Sequence, residues 1–306
     1  MTDAIVVQGL CKQFGPIVAV DHIDFSVPRG QIFGLLGPNA AGKSTTIRLL
    51  AGIILADAGA VTILGLDLKS QISRIKHRIG YVAQHFALYP ELTVAENLAF
   101  YSGLYRPNGQ ADLTGLLATC GLAPFTGQLA GKLSGGYKRR LSIACALTHD
   151  PELIFLDEPT AGIDPVTRKE LWDLFYDLAA SGRTLFVTTH YMEEAERCNQ
   201  LAFIHQGKLV ARDTPQGIKR SLTGIKVLAC RLPYDPAVSR ALKAMAGVHV
   251  LNQYGDELRI VVDDTLSSRQ VEDLIQKTLG VDDEIREVPV NIEDAFMTLT
   301  RESPLQ

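Results

Sequence analysis

A glycine-rich stretch near the N-terminus carries the first residues with recognisable chemistry. Residues 37–44 read Gly-Pro-Asn-Ala-Ala-Gly-Lys-Ser and fit the pattern G-x-x-x-x-G-K-[ST] in full. In such a loop, backbone N–H groups point at nucleotide phosphates, Lys43 reaches the β- and γ-phosphate oxygens, and the Ser44 hydroxyl is placed to ligate Mg²⁺. The candidate nucleotide contacts of this stretch are Gly37, Pro38, Asn39, Ala40, Ala41, Gly42, Lys43, Ser44 and Thr45.

Two adjacent carboxylates, Asp157 and Glu158, form the second candidate group. They end an apolar segment of strand length at residues 153–156, as expected for a strand that is buried on both faces. Open α/β sheets bind ligands outside the carboxyl ends of their strands. Asp157 is therefore suited to hold Mg²⁺ through its water shell, and Glu158 is suited to orient and deprotonate an attacking water.

Both groups have the flanking elements that this chemistry needs. Residues 31–36 predict a short buried strand, and residues 45–51 predict a helix with an apolar face. The loop therefore joins a strand to a helix N-terminus, the setting that supports the motif. A glycine-rich turn or a solvated strand end would explain either group alone, but the two together favour nucleoside triphosphate chemistry.

A third motif separates this chain from other phosphate-loop proteins. Residues 133–137 read Leu-Ser-Gly-Gly-Tyr and resemble the signature motif of the ATP-binding cassette (ABC) ATPases. The match extends over about residues 4–215, in the family's order and at ordinary spacing. Further matching positions are Phe14 (the adenine-stacking aromatic), Gln84 (the Q-loop), Asp164 (in the D-loop, residues 161–164) and His190 (the switch histidine).

The signature motif implies a nucleotide site that is shared between two chains. Ser134, Gly135 and Gly136 begin a helical stretch and so make a second N-terminus able to bind an anion, with Ser134 as the expected N-cap. One subunit cannot easily fold that helix onto its own phosphate loop. By resemblance, two subunits pack head to tail, a homodimer being expected, and the signature of one holds the γ-phosphate bound at Lys43 of the other.

The resemblance also implies the remaining roles. Glu158 acts as the base on water, His190 holds the γ-phosphate and the water in line, and Gln84 reports the γ-phosphate to a partner. The implied cofactors are ATP and Mg²⁺. The residues expected to bind the Mg²⁺ ion are Ser44, Gln84 and Asp157.

The chain departs from the family's usual pattern at Ala40, which replaces a glycine, and at Ala161, which replaces a serine. We expect nucleotide binding to survive at Ala40 unless the backbone there needs a positive φ. Tyr137 and Lys138 replace the Gln-Gln of many importer ATPases. This basic form, together with the ending at residues 291–300, is similar to that of exporter subunits.

Composition limits the possible partners and compartments. The 306 residues carry a formal net charge of −4, which gives no electrostatic reason to expect nucleic acid. The basic run at residues 138–140 is expected to be a solvated or partner-facing surface. The cysteines Cys11, Cys120, Cys145, Cys198 and Cys230 have no metal or disulfide spacing, which suits a reducing cytosol.

The sequence shows neither a signal peptide nor an apolar run of the ~18 residues that a membrane span requires. We therefore expect any membrane part to be a separate transmembrane permease, with this chain peripheral on the cytoplasmic face of the plasma (inner) membrane. By resemblance, the expected permease contact lies within residues 85–106. These residues belong to a helical subdomain at about residues 85–145, where Thr93 and Glu96 predict a capping box.

The chain is expected to fold as an α/β P-loop NTPase core of the ABC ATPase type, with an antiparallel β subdomain and the helical subdomain, over residues 1–220. Residues 221–306 predict a small α+β accessory domain. Its element order β-α-β-β-α-β is that of a ferredoxin-like fold. We find no site chemistry in this second domain.

These features favour an ATP-hydrolysing subunit that powers export through a separate permease. The alternative is a soluble ABC ATPase acting on ribosomes or DNA. Relatives of that kind usually carry two cassettes with a charged linker, or long coiled coils, and the chain has neither. The signature, D-loop and switch histidine together exclude an ordinary P-loop kinase. The cargo is not readable, because its site would lie in the permease.

Overall fold

The computed structural model describes residues 3–105, 112–279 and 284–301. The chain divides into two compact units at Arg212 and Asp213. The first unit contains the elements β1 (Asp3–Phe14), β2 (Ile17–Pro28), β3 (Ile32–Leu36), α1 (Lys43–Leu50), β4 (Ala58–Ile63), β5 (Leu66–Asp67), α2 (Ile72–Lys76), β6 (Ile79–Val82), α3 (Val94–Tyr105), α4 (Leu113–Thr119), α5 (Gly135–Leu147), β7 (Leu153–Asp157), α6 (Pro165–Ala180), β8 (Thr184–Thr189), α7 (Met192–Ala195), β9 (Gln200–His205) and β10 (Lys208–Asp213).

A six-stranded sheet of order β10-β9-β3-β8-β7-β6 forms the centre of the first unit. Strands β9, β3, β8, β7 and β6 pair in parallel, so their carboxyl ends lie along one edge. The register pairs Leu36 with Thr189 and Asp157 with Thr188 at that edge. The segments that follow these strands therefore meet at one place, as the sequence predicted.

Aromatic packing holds this sheet against the antiparallel part of the unit. Strands β3, β7 and β8 are buried along their whole length. The rings of Phe33 and Phe186 stack with centroids 5.4 Å apart, and Phe25 of β2 stacks on Phe33 at 5.7 Å. Burial of each such ring contributes roughly 2 kcal/mol, so the site rests on a rigid base.

The two predicted subdomains are present. Strands β2, β1, β4 and β5 form an antiparallel sheet. In the helical part, α3 packs against α5. The capping box is confirmed, because Thr93 N donates to Glu96 Oε2 at 2.7 Å and Glu96 N donates to Thr93 Oγ1 at 3.2 Å. Residue 106, the end of the expected permease contact, lies outside the described residues.

The second unit contains α8 (Pro215–Ser221), β11 (Ile225–Arg231), α9 (Pro236–Lys243), β12 (Val248–Tyr254), β13 (Glu257–Asp263), α10 (Ser268–Leu279), β14 (Arg286–Val288) and α11 (Ile292–Arg301). Its antiparallel sheet has the order β12-β13-β11-β14, which is the ferredoxin-like arrangement. The unit begins earlier than the expected boundary at residue 220, because α8 packs against α11. Within the described residues of both units, none of the helices is long and apolar enough to cross a bilayer.

Candidate functional site

The phosphate loop lies where β3 ends and α1 begins, and its glycines allow a close backbone approach. A Cβ on Gly37 would lie 2.2 Å from Ile204 O, and one on Gly42 would lie 2.3 Å from Ala19 O. Gly42 also has a φ of 109°, which residues with a side chain rarely adopt. Both positions therefore require glycine for the loop to follow this path.

Ala40 adopts a φ of 64°. The backbone at this position does need a positive φ. This is the case in which replacing the family's glycine by alanine was expected to affect the loop. An alanine in the left-handed region costs roughly 1 kcal/mol. The loop keeps its anchoring nonetheless, since the carbonyl oxygen of Ala41 accepts a hydrogen bond from Gly207 N at 3.0 Å.

Lys43 is the first residue of α1, and its side chain is only 4% exposed. Its ammonium donates to Gly37 O at 2.8 Å and to Pro38 O at 3.0 Å. The same nitrogen lies 3.1 Å from Glu158 Oε1. A buried cation is therefore fixed between the phosphate loop and the carboxylate that follows β7.

Asp157 is fully buried and is held from two sides. Its Oδ1 accepts hydrogen bonds from Ser44 Oγ at 3.0 Å and from Thr188 Oγ1 at 2.8 Å. Its Oδ2 is buried and has no hydrogen-bond partner among the described residues, although buried carboxylate oxygens normally have one. Mg²⁺ typically takes one or two protein oxygens and completes its shell with phosphates and water. The Ser44 hydroxyl and the free Asp157 oxygen fit that ion.

Glu158 lies at the centre of the predicted catalytic group. Its Oε2 accepts a hydrogen bond from Gln84 Nε2 at 3.1 Å and lies 3.1 Å from His190 Nδ1. Its backbone N–H donates to Thr188 Oγ1 at 2.9 Å, and its φ is 44°. Such a left-handed conformation costs free energy and recurs at functional sites. The structure thus brings Lys43, Gln84, Glu158 and His190 into one cluster.

A cleft of about 570 Å³ opens beside this cluster. Its lining residues are Ile17, Val18, Ala19, Asn39, Ala40, Gly42, Lys43, Ser44, Thr45, Gln84, Glu158, Gln206 and Gly207. Phe14 is 49% exposed and is not among them, whereas its hairpin neighbours Ile17 and Val18 are. The turn between β9 and β10 contributes Gln206 and Gly207 to the cleft. The sequence did not predict this contribution, because a turn motif carries no signal for a ligand.

The signature residues lie apart from this cleft, since Ser134, Gly135 and Gly136 are not among its described lining residues. Ser134 occupies the N-cap position of α5, but its side chain makes no capping hydrogen bond. The predicted N-cap position of Ser134 is confirmed, but its hydroxyl makes no hydrogen bond to the N–H groups of the helix. Gly136 packs closely on α6, since a Cβ there would lie 2.4 Å from Thr167 Cγ2.

Asp164 caps α6 and accepts hydrogen bonds from Val166 N at 3.1 Å and Thr167 N at 3.0 Å. The bond from Thr167 N–H is the main cause that holds the pKa of the Asp164 carboxyl below its usual value. The side chain is thus fixed as an ionised group at a helix N-terminus. A contact of Asp164 with a second chain stays a prediction.

Arg139 is not a surface residue, which corrects the expectation for the basic run at residues 138–140. It is only 8% exposed, and its guanidinium donates to Ala83 O and to Gln84 O, each at 2.6 Å. Burial lowers the pKa of the guanidinium, and the nearby Asp157 charge opposes that shift. A run of like charges gives no local signal that its middle member turns inward.

Comparison with known proteins identifies related chains. The family model described as ABC transporter matches residues 20–161. The chain is 37% identical over 294 residues to the Nod factor export ATP-binding protein I of Burkholderia lata, covering 94% of both chains. It is 43% identical over 213 residues to the probable multidrug ABC transporter ATP-binding protein YbhF of Escherichia coli, covering 69% of this chain. That match spans only 37% of the length of YbhF.

Solved structures share the fold of the first unit. A structure described as the ATP binding subunit of an ABC transporter superposes with a TM-score of 0.64 at 29% sequence identity. It covers 71% of this chain and 92% of its own. The similarity therefore extends over nearly the whole of that neighbour.

Proposed function

This chain belongs to the ABC transporter ATP-binding proteins, and from that premise we propose that it hydrolyses ATP to power export through a separate transmembrane permease. The observation that carries the proposal is the cluster in which the Glu158 carboxylate contacts Lys43, Gln84 and His190. A base, a cation and two polar side chains converge beside a cleft of nucleotide size. Phosphoryl transfer to water depends on such positioning and electrostatics.

We assign the reaction roles as follows. Lys43 binds the β- and γ-phosphate oxygens, with the backbone N–H groups of the loop and of the first turn of α1. Glu158 orients the attacking water and takes its proton. The Lys43 ammonium lies 3.1 Å from its Oε1, and Gln84 and His190 fix its second oxygen.

The metal side of the site is formed by Ser44, Asp157 and Gln84. When bound, Mg²⁺ supplies charge neutralisation on the β- and γ-phosphate oxygens. Thr188 holds Asp157 in place through its bond to Oδ1, and Oδ2 has no hydrogen-bond partner among the described residues. We propose that Phe14 contributes the adenine contact, together with the exposed hairpin residues Ile17 and Val18.

The second half of the site is proposed to come from another copy of this chain. The start of α5 offers N–H groups that the Ser134 side chain does not cap, and the helix dipole there favours an anion. Ser134, Gly135 and Gly136 of one copy would hold the γ-phosphate bound at Lys43 of the other, with Asp164 at the contact between them. The pair is a head-to-tail homodimer.

The permease is proposed to contact a groove on the helical side of the first unit. This groove has a volume of about 390 Å³ and is lined by residues of β6, of the segment after Gln84 and of helices α3 and α5. Leu88 and Tyr101 line the groove. Their exposed sequence neighbours Tyr89 and Phe100 pack edge to face, with ring centroids 5.0 Å apart. Exposed aromatic side chains of this kind are favoured at protein interfaces.

We propose export rather than import, and a peripheral position on the cytoplasmic face of the membrane. The Tyr137-Lys138 form of the signature supports export, as do the names of the relatives from Burkholderia lata and Escherichia coli. The ribosome and DNA alternative has no comparable support. The cargo would be recognised by the permease.

The direct experiment is affinity purification of the tagged chain from detergent-solubilised membranes, with ATPase activity measured in the presence of Mg²⁺. We expect a multispanning protein to co-purify and ATP turnover to accompany it. Ribosomes in the eluate, or no partner at all, would favour the soluble alternative. An inactive preparation that still binds ATP would contradict the assignment of Glu158 and His190.

A further inference from the structure

Arg139 links the signature helix to the γ-phosphate side of the same chain. Its Nη1 donates to Ala83 O and its Nη2 to Gln84 O, both at 2.6 Å, and Nη2 lies 3.5 Å from Glu158 O. These carbonyls belong to the segments that follow β6 and β7. The buried Arg139 side chain therefore contacts the backbone of both Gln84 and Glu158, whose side chains are hydrogen-bonded to each other.

The contact is made one helical turn after the start of α5. Ser134 and Gly136 lie at that start, and Lys138 N donates to Ser134 O at 2.9 Å, so the first turn is regular helix. A helical turn is stiff and transmits displacement along its axis. A shift of the carbonyls at Ala83 and Gln84 must therefore move the signature, unless the bonds to Arg139 break.

Breaking these bonds is costly. Hydrogen bonds from a charged donor are roughly twice as strong as neutral ones, and a buried cation that loses its acceptors pays the full desolvation penalty. The planar guanidinium holds two neighbouring carbonyls in fixed geometry, which the point charge of a lysine cannot reproduce. The position therefore needs an arginine rather than a positive charge.

We propose that Arg139 is a positioning residue that couples the two nucleotide sites of the head-to-tail pair. Gln84 and Glu158 sense the γ-phosphate in one chain, and Arg139 carries their displacement to Ser134 and Gly136, which complete the site of the other chain. This inference rests on the proposed function. It adds a specific route by which occupancy of one site changes the geometry of the second.

The test compares Arg139→Lys and Arg139→Gln with the wild type and with Lys138→Met, which removes a charge from the adjacent residue on the same helix. ATP turnover is measured against ATP concentration, and nucleotide affinity is measured separately with a fluorescent analogue. For the wild type we expect a Hill coefficient approaching 2, the number of sites. In both Arg139 variants it should fall to about 1, with turnover lower by about 10-fold to 100-fold and nucleotide affinity within about twofold. Lys138→Met should behave as the wild type.

Wild-type cooperativity retained in folded Arg139 variants would overturn the proposal, as would a wild-type Hill coefficient of 1. Absence of any ATPase activity in the wild type would instead contradict the proposed function. Because Arg139 is buried, its variants are checked for folding by thermal unfolding.

A second measurement needs no variant at position 139: hydrogen–deuterium exchange of the Glu158→Gln protein with and without ATP. Protection should change together at residues 83–85 and 135–139, and a change at only one of these segments would also overturn the coupling.

Discussion

The Lys43 ammonium and the Glu158 carboxylate lie 3.1 Å apart, and the side chains are 4% and 7% exposed. The phosphate-loop cation and the proposed base are therefore one buried ion pair, built from residues 115 positions apart in the chain. Loss of one partner of such a pair is more damaging than loss of both, because the survivor remains buried without compensation. This relationship decides how variants at either position should be designed.

Glu158→Gln should reduce ATP turnover by roughly 10² to 10⁴, the loss expected when a general base is removed. The amide keeps the size of the side chain and can still accept from Gln84. ATP binding should therefore persist, and the variant protein should accumulate as the ATP-bound dimer. Steady-state hydrolysis and nucleotide binding are measured on the same preparation.

The role of Glu158 as base would be refuted by turnover within threefold of the wild type. A matched control is Glu152→Gln, which replaces the carboxylate directly before β7, at the opposite end of the strand from Glu158. Glu152 pairs with Arg78 at 2.6 Å on the surface. We expect that control to retain full turnover.

Lys43→Met should weaken ATP binding itself, because the charge that faces the β- and γ-phosphates is lost. It should also lower the free energy of unfolding by about 3 kcal/mol, since Glu158 then stays buried without its cation. In the double variant Lys43→Met/Glu158→Gln, part of that stability should return while ATP affinity stays low. Isothermal titration and urea unfolding separate the two effects, and unchanged ATP affinity in Lys43→Met would overturn the phosphate-loop assignment.

The elements that carry the motifs were predictable because chemistry restricts the residues that can stand there. An apolar strand that ends in Asp157 and Glu158 is typical of a parallel sheet that is covered on both faces, and the carboxyl ends of such strands share an edge. This shared edge places the two carboxylates next to Ser44 and Lys43, which follow another strand of the same sheet. It also explains why Gln84 and His190, each after its own strand, join the same cluster.

Three features were not readable because they depend on tertiary contacts. The guanidinium of Arg139 finds acceptors about 55 residues away, and its neighbours Lys138 and Arg140 carry the same charge. The Ser134 side chain has the right identity for a cap and stands at the N-cap position, but it makes no capping hydrogen bond. The left-handed backbone at Ala40 follows from the path of the loop and not from its own side chain.

Gly136→Ala should destabilise the first unit by about 1–3 kcal/mol, because the added methyl would lie 2.4 Å from Thr167 Cγ2 and would push α5 away from α6. Gly135→Ala is the matched control. A Cβ at Gly135 meets nothing closer than Ile163 Cδ1 at 3.8 Å. The midpoint of urea denaturation should therefore be lower for Gly136→Ala than for Gly135→Ala. Equal midpoints would show that the added methyl group at position 136 causes no strain.

Ala40→Gly should raise the free energy of unfolding by about 1 kcal/mol, because glycine adopts a φ of 64° without steric cost. Ala41→Gly is the control, since Ala41 is buried and is not among the described residues with positive φ. That change removes a buried methyl group and adds freedom to the unfolded chain, so it should not stabilise the protein. A midpoint that does not rise in Ala40→Gly would mean that the loop relaxes around alanine.

Specific ATPase activity should rise with protein concentration. The phosphate loop and Glu158 line one cleft, and His190 contacts Glu158, whereas Ser134, Gly135 and Gly136 are not among the described lining residues. A monomer therefore holds only half of the proposed site. At low concentration the chain should bind ATP through Lys43 and hydrolyse it slowly. As pairs form, activity per chain should increase toward a plateau, and the increase should be centred near the dimer dissociation constant, which sedimentation under the same conditions can measure independently. Ser134→Ala should lower the plateau, whereas the monomer's ATP affinity should not change, because that hydroxyl acts on the nucleotide of the other chain. Constant specific activity in a sample shown to be monomeric would contradict the shared site.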